Sequence, residues 1–196
     1  MTITHAKRFT LDEYHRLGEL GFFHEDDRIE LVKGEIIQMS GKGTAHEVCI
    51  SKLLRELIRL LGDSATLRCQ SPIIIANDSE PESDFAVVQN SPDDYLLAHP
   101  KPANVLLLIE ISDSTLNYDQ NVKLPLYAEA KISDYWIFNL FDNQLEAHSE
   151  PYQSSQGKYG YKNKRIVLPN QVITLPGFPD LSLDLTRVFP PKPEGA

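Results

Sequence analysis

Cysteine, tryptophan and long apolar runs are all scarce in this sequence of 196 residues. Its two cysteines, Cys49 and Cys69, are expected to be small core residues and not a disulfide or a metal site. No stretch approaches the roughly 18 consecutive apolar residues that are needed to cross a bilayer. The first ten residues also lack the apolar core of a signal peptide. We therefore expect a cytoplasmic protein that has no membrane partner.

Positive charge is also in short supply. Lysine and arginine together number 19 against 28 aspartates and glutamates, which gives a net charge of −9. This balance argues against a protein that coats nucleic acid without selectivity, because such binding depends on cationic neutralisation of phosphates. An enzyme that holds DNA through a local basic face remains compatible with it. The length suits one domain over residues 1–196, with a Pro-rich tail from about residue 190.

Helical and strand patterns alternate in the first third of the chain. Thr10–Glu13 has the form of a capping box that opens a helix running to about Gly21. Apolar residues on both sides of Lys33-Gly34 predict a β-hairpin. A second capping box, Thr44–Glu47, opens a longer helix that Gly62 is expected to end.

Strands dominate the remainder of the chain. The apolar and β-branched patterns predict strands at residues 67–76, 84–88, 104–111, 135–138, 144–148 and 158–167. One helical segment, from about residue 119 to 131, contains Pro125, so the regular helix either begins near Asn121 or is kinked at the proline. The order of elements predicts an α/β fold with a central mixed β-sheet flanked by helices and with additional β-hairpins.

An acid–strand–acid–helix–lysine series carries the candidate chemistry. Asp84 opens one apolar strand, Glu110 closes another, and Lys123 follows in the helical segment. Carboxylates at the ends of buried strands are held at the rim of a core, where a hard cation can bind. Mg²⁺ needs only one or two carboxylates beside water and substrate phosphate, and the Ile111 carbonyl could add a third oxygen. The series predicts a Mg²⁺-dependent phosphodiesterase, in which the lysine positions water or stabilises the transition state.

Each of these residues also has a structural interpretation. Strand-end acids commonly face solvent, although Glu110 directly follows five aliphatic residues, where a charge is costly unless it is compensated. Lys123 could be a surface residue that pairs with Asp119 at i,i+4. Tyr127, one turn after Lys123, could order the site or pack in the core.

Glu30, His46 and a basic segment are further candidates. Glu30 lies on the opposite face of its strand from the core residues beside it. His46, in the first turn of its helix, could contact phosphate or assist proton transfer, or it could be a solvated histidine. The segment 157–165 interleaves four cations with two tyrosines, which suits either contact with a nucleic-acid backbone or an exposed hairpin arm.

The motifs around these residues resemble the PD-(D/E)XK nuclease superfamily, which has the restriction-endonuclease-like fold. Within it the chain resembles the Uma-type family of bacterial endonucleases, long labelled a domain of unknown function. The resemblance spans residues from about 10 to 185. Its strongest matches are Leu107–Thr115, Tyr118–Ala130 and Tyr135-Trp136, and its weaker ones are Ile29–Glu35, His46 and Ser83–Val88.

The resemblance implies that Asp84 and Glu110 are metal ligands. Two positions depart from the superfamily pattern. Ser83 stands before Asp84 in place of proline, and Ser112 occupies the slot two residues after Glu110 where lysine is expected. Lys123 could supply the missing ammonium group from the following helix.

These observations lead to three hypotheses for the function. The first is a DNA endonuclease that uses Mg²⁺ or Mn²⁺, with Asp84, Glu110 and Ile111 at the metal, Lys123 at the transition state and Glu30 or His46 assisting. Family analogy adds a homodimer. The second is a nuclease-like fold that has lost catalysis and serves as a binding or assembly module. The third is a metal-independent hydrolase that uses the acids as a general acid/base pair.

Overall fold

A six-stranded mixed sheet forms the centre of the structure, a computed structural model that describes residues 5–24 and 26–191. Its strands are β3 (Thr66–Pro72), β4 (Glu82–Val88), β5 (Val105–Ser112), β6 (Asp134–Asn139), β7 (Gln144–Gln153) and β8 (Tyr159–Val167). They lie in sequence order across the sheet, with β5 and β6 parallel and all other neighbours antiparallel. The predicted mixed sheet is confirmed.

Two antiparallel hairpins lie outside this sheet. The first pairs β1 (Ile29–Val32) with β2 (Glu35–Gln38), and the second pairs β9 (Val172–Leu175) with β10 (Phe178–Asp184). Lys33 and Gly34 both have positive φ in the first hairpin, as a two-residue turn that matches strand twist requires. The first hairpin was predicted individually; the second falls in the part of the chain expected only to be rich in strands.

The third strand is shorter than its apolar run suggested. It ends at Pro72, which has no N–H to offer a ladder, and not at residue 76. Ile73 and Ile75 are nevertheless buried. The aliphatic run therefore marks the core correctly and the strand boundary incorrectly.

The two long helices begin differently. Helix α1 (Leu11–Glu19) has the predicted capping box, in which Thr10 and Glu13 exchange hydrogen bonds. Helix α2 (Thr44–Leu61) does not: its N-cap is Gly43, and Thr44 is already the first helical residue. The predicted second box is wrong, because a threonine with helical backbone cannot place its hydroxyl as an N-cap does.

A π-helical turn interrupts the helix after β5. The segment runs from α3 (Leu116–Tyr118) through the π-turn Asp119–Lys123 into α4 (Leu124–Glu129). Pro125 lies in the first turn of α4, where its missing N–H costs little. The helix thus neither begins at Asn121 nor simply kinks; it changes its hydrogen-bond register just before the proline.

Two apolar layers cover the sheet, one on each face. Helix α2 and the β9–β10 hairpin pack on one face, against alternate residues such as Phe85 and Ile109. Helix α4 packs on the other face, against the intervening residues such as Ala86 and Leu108. Cys49 is buried in the first layer, and both cysteines are free thiols. Within the described residues, no helix has the length and apolar character to cross a membrane.

Candidate active site

The central sheet opens between β4 and β5. Their mutual ladder ends at the pair Phe85–Ile109, although β4 stays paired with β3 as far as Glu82 and β5 stays paired with β6 as far as Ser112. Side chains occupy the opening. The Ile111 N–H donates to Asp84 Oδ2 at 2.8 Å, and the Asp84 N–H donates to Glu110 Oε2 at 3.3 Å. Two backbone donors at the opening are therefore directed at carboxylates.

Lys123 meets Glu110 in this opening. Both residues are only 4% exposed. The lysine Nζ donates to Glu110 Oε1 at 3.0 Å and to the Glu82 carbonyl oxygen at 2.7 Å, and it lies 3.5 Å from Glu30 Oε2. Tyr127 donates its hydroxyl to Glu110 Oε1 at 3.1 Å. The alternative of a surface lysine is wrong, and the tyrosine is both buried in the core and bonded to the acid.

Burial and charge act against each other in this cluster. Burial raises the pKa of Glu110 well above its usual value, and the Lys123 ammonium offsets only part of that effect. Burial disfavours the charged lysine, but Glu110 and Glu30 raise the pKa of Lys123 well above its usual value. The ammonium group therefore keeps its charge at neutral pH.

Asp84 has the opposite tendency. Burial alone would raise its pKa, but hydrogen bonds from His46 and from the Ile111 amide bring the pKa of Asp84 below its usual value. Its carboxylate is therefore ionised at neutral pH. Both hydrogen bonds go to Oδ2, at 3.1 Å from His46 Nε2 and 2.8 Å from Ile111 N, and Oδ1 accepts none from the described residues.

His46 reaches the acids from the other face of the sheet. It lies in the first turn of α2, is 8% exposed, and has no hydrogen-bond partner for Nδ1 within the described residues. The alternative of a solvated histidine is wrong. Because α2 and α4 cover opposite faces, the opening between β4 and β5 lets His46 and Lys123 approach one site from two sides.

Glu30, in β1, lies next to the Lys123 ammonium. It is buried, accepts the Tyr118 hydroxyl at 2.8 Å and the Glu82 N–H at 2.9 Å, and completes the set of acceptors around Lys123. The Tyr118 ring centroid lies 5.9 Å from the Lys123 ammonium. Tyr118 was not singled out from the sequence, because its role depends on a contact between distant segments.

Ser112 is turned toward Asp119. Ser112 and Thr115 both donate to Asp119 Oδ2 at 2.7 Å. Burial raises the pKa of Asp119, although Lys123 and these two hydroxyls oppose the shift. Sequence reasoning considered Asp119 only as a surface partner of Lys123. The i,i+4 spacing of the two residues was the available signal, since a π-turn directs residues at that spacing to one side.

A cavity of about 290 Å³ collects these side chains. Its wall includes Glu30, His46, Asp84, Glu110, Ile111 and Lys123, and therefore every residue proposed from the sequence for the site. Arg28 and Lys42 also line it. The contact of Ile111 with the acids is through its N–H, and a metal-binding role for its carbonyl stays a prediction.

The donor set suits a cation that needs few protein ligands. Among the described residues, no group of three or more histidine, cysteine, aspartate or glutamate side chains is arranged to hold a metal ion. Zinc and similar ions usually take three or four such ligands. Mg²⁺ keeps most of its waters and uses one or two carboxylates, which Asp84 and Glu110 can provide.

None of the residues in the basic segment 157–165 lines this cavity. In β8, Lys164 pairs with Glu146 at 2.7 Å and Lys162 lies 3.5 Å from Glu150. Both acids belong to the neighbouring strand β7. These ion pairs partly neutralise the segment and favour its interpretation as an exposed hairpin arm.

A mixed sheet flanked by helices, with acids at an opening in the sheet, defines a restriction-endonuclease-like protein. The chain matches the model of the Uma2 family over residues 11–186, and that family is described as "Putative restriction endonuclease". The chain therefore belongs to the Uma2 family. Family and fold together support a nuclease function.

One of two similar solved structures shares the fold over nearly the whole chain. A crystal structure described as a "putative nuclease belonging to DUF820", from Anabaena variabilis ATCC 29413, is similar with a TM-score of 0.69 at 14% identity, covering 92% of this chain and 97% of that one. The type IIG restriction endonuclease BpuSI overlaps less, with a TM-score of 0.36 at 13% identity over 62% of this chain and 13% of that one. None of the curated proteins compared with the chain matches it.

Proposed function

We propose that this protein is a Mg²⁺-dependent DNA endonuclease that hydrolyses phosphodiester bonds with a metal-activated water. The observation that carries the proposal is the meeting of Asp84, Glu110 and Lys123 at one opening in the sheet, beside a cavity. Family membership supports the reaction class. Mn²⁺ has the same preference for oxygen ligands and should substitute for Mg²⁺.

Asp84 and Glu110 would hold the metal, with the Ile111 carbonyl as a third oxygen. A bound Mg²⁺ supplies a water of lowered pKa and neutralises charge on the phosphate. Lys123 supplies a positive charge at a fixed place, because its Nζ is held by Glu110 and by the Glu82 carbonyl. A charge held in advance costs little reorganisation when negative charge develops on the phosphate.

Glu30 and His46 would assist the reaction, Glu30 beside Lys123 and His46 beside Asp84. Glu30 fixes the ammonium of Lys123, at 3.5 Å. His46 orients the Asp84 carboxylate through a 3.1 Å contact and can exchange a proton with a group in the cavity.

The geometry also accounts for the departure at Ser112. This residue supports Asp119 with its hydroxyl, while Lys123 brings an ammonium group to Glu110 from the helix. In this proposal Lys123 takes the place of the lysine that is missing at position 112, which favours an active enzyme over the binding-module alternative. The homodimer remains part of the proposal, since two sites are the simplest way to cut both strands.

Nicking of supercoiled plasmid with Mg²⁺ or Mn²⁺ tests the proposal. The wild-type protein should cut, EDTA should stop cutting, and Glu110→Gln should abolish it. Glu56→Gln is the matched control, because Glu56 is a buried acid that pairs with Arg59 and Arg187 outside the cavity. Activity that survives in Glu110→Gln would overturn the assignment. Absence of both cutting and calorimetric metal binding in the wild type would favour the binding-module alternative.

A further inference from the structure

The carboxylates proposed to hold the metal lie at the bottom of a recess. Asp84, Glu110 and the neighbouring Lys123 are buried, and all three line the cavity. Two chain segments, 38–43 and 113–117, contribute exposed residues to the walls of the same cavity. A substrate phosphate that reaches the acids therefore lies between these two segments.

The two walls come close to each other at one end of the recess. A Cβ atom on Gly43 in the first wall would lie 3.0 Å from Asp113 Oδ2 in the second. The cavity measures about 290 Å³, near the lower limit for pockets that take a single small molecule. The two backbones of a DNA duplex lie about 12 Å apart across the major groove, so only one of them can enter such a space. A strand that is paired cannot enter without its partner following.

The charges around the cavity also limit how much DNA it can hold. Lys123 belongs to the proposed reaction centre, which leaves Arg28 and Lys42, among the described residues of the lining, as the cations that can hold neighbouring phosphates. Asp113 is exposed on one wall and repels a second backbone that lies outside the cavity. Non-selective binding of a duplex depends on many neutralised phosphates. This lining therefore favours a short contact with one strand. Six carboxylate side chains line the cavity: Glu30, Glu82, Asp84, Glu110, Asp113 and Asp119.

Arg28 and Lys42 are both placed to meet that strand. Arg28 Nη1 donates to the Ser40 carbonyl at 3.0 Å, and Nη2 lies 3.9 Å from the Glu82 carboxylate. The side chain of Arg28 is 35% exposed, and a guanidinium group has five N–H donors, so donors remain for a phosphate. Burial raises the pKa of Glu82, and the charges of Lys42 and Arg28 oppose that shift. Both cations therefore act near Glu82, two residues before Asp84 in β4.

We infer that the substrate of this cavity is a single, unpaired DNA strand, whose backbone is held at the walls by Arg28 and Lys42. The inference rests on the proposed function, since it takes the cavity to be a nuclease site. Phosphate contacts position a strand without reading its bases, so unpaired strands of different sequence should bind alike. Paired DNA would be cut only where it opens, which negative supercoiling promotes.

Three DNA probes test the inference. They are a fluorescein-labelled strand without self-complementarity, the same strand annealed to its complement, and a duplex with a central unpaired bubble. Affinity is measured by anisotropy in EDTA, and cutting is measured with Mg²⁺. Because a paired strand must first open, the full duplex should be bound and cut at least about tenfold less efficiently than the other two probes.

The outcomes separate the inference from the proposed function. A duplex that is bound as tightly as the single strand would overturn the inference. Cutting of the full duplex at the rate of the single strand would also overturn it, while leaving the proposed function standing. A preference for the single strand in binding, without any cutting, would support the choice of strand and contradict the proposed function.

Arg28→Gln and Arg165→Gln form a matched pair of variants. Arg165 is an exposed arginine of the basic segment and does not line the cavity. Loss of one phosphate contact should reduce the slope of log affinity against log salt concentration by about 0.7 for a single strand. Arg28→Gln should show this reduction, and Arg165→Gln should not. An unchanged slope in Arg28→Gln, or equal changes in both variants, would overturn the inference.

Lys42→Gln keeps the inference testable if Arg28→Gln folds poorly. Lys42 lies in a segment without helix or strand, and circular dichroism reports whether either variant is folded. Lys42→Gln should reduce the salt slope for the single strand by the same amount as Arg28→Gln. A folded Lys42→Gln variant with the wild-type slope would contradict the placement of the strand.

Discussion

At the scale of single residues, the Lys123 ammonium contacts three oxygen atoms from three different residues. Its ammonium is buried among Glu110, Glu30 and the Glu82 carbonyl. The buried carboxylates of Glu110 and Glu30 are both compensated by this one cation. The same contacts fix the position of the positive charge that the proposed reaction uses.

Lys123→Met should lower the free energy of unfolding by about 3 kcal/mol or more, because it leaves two buried carboxylates without their cation. Urea denaturation at pH 7 measures the change. Lys33→Met is the matched control, since Lys33 pairs with Glu129 on the surface and such pairs contribute at most about 1 kcal/mol. Similar losses in the two variants would contradict the buried ion pair.

The stability defect of Lys123→Met should shrink as the pH falls. Burial raises the pKa of Glu110. A carboxyl group whose pKa is raised by folding favours the folded state below its unfolded pKa of about 4.3 and loses that contribution as the pH rises through its folded pKa. The difference between variant and wild type should therefore be smaller at pH 4.5 than at pH 7. A difference that grows on acidification would show that Glu110 is not the group left uncompensated.

At the scale of secondary-structure elements, the π-turn Asp119–Lys123 decides which residues face the site. It lets Asp119 and Lys123 both point inward, where one meets Ser112 and the other Glu110. In a regular α-helix one residue fewer would complete the turn, so the residues of α4 would present a different face to the sheet.

Deletion of Asn121 should preserve both plasmid nicking and the fold. Asn121 is exposed within the π-turn, so its removal allows a regular α-helix. Asp119 and Lys123 then become an i,i+3 pair, which still lies on one side of the helix. Asn121→Ala is the control and should also retain activity, and circular dichroism reports the fold. Loss of nicking by a folded deletion variant would mean that the wider turn itself positions the site.

Some of the secondary-structure elements could be predicted from the sequence alone, and others could not. The strands that carry Asp84 and Glu110 were found because each is a short aliphatic run bounded by polar residues. Their ends were not, since β4 begins two residues before Asp84 and β5 continues two residues beyond Glu110. The π-turn was not found, because it differs from an α-helix in hydrogen-bond register and not in composition. The cap of α2 was misplaced by one residue because Thr44–Glu47 satisfies the box pattern while the chain enters the helix at Gly43.

The residues of the candidate site also fall into those that the sequence indicated and those that it did not. Asp84, Glu110 and Lys123 stand out because charges beside apolar runs need a reason to be there. Tyr118 and Asp119 acquire their places through contacts with Glu30 and Ser112 that no local pattern encodes. The opening between β4 and β5 depends on where the pairing of these two strands stops. That point depends on how neighbouring strands pair and cannot be read from one segment of sequence.

At the scale of the whole molecule, two apolar layers enclose the sheet and protect the thiol of Cys49. Burial, with the nearby charge of Asp84 as a second cause, raises the pKa of Cys49 to about 12. A thiol reacts through its thiolate and needs access for the reagent. Reaction at this position therefore requires the first layer to come apart.

A Cys69→Ser variant, which keeps only Cys49, should not react with Ellman's reagent in the native state and should release one equivalent of chromophore in denaturing urea. Cys49→Ala is the companion variant, and its partly buried Cys69 should react faster under native conditions. Rapid native labelling of Cys69→Ser would mean that the layer of α2 opens locally without global unfolding.

The opening between β4 and β5 also has an evolutionary consequence. Natural chains lie only slightly above the stability they need, and active sites commonly lower it. A descendant released from selection for the proposed chemistry could accept a small or apolar residue at position 84, and the interrupted ladder could then close. Such relatives should melt at higher temperatures than members that keep the acid. Unusually high thermal stability in a member of the family would therefore indicate that the proposed catalysis has been lost.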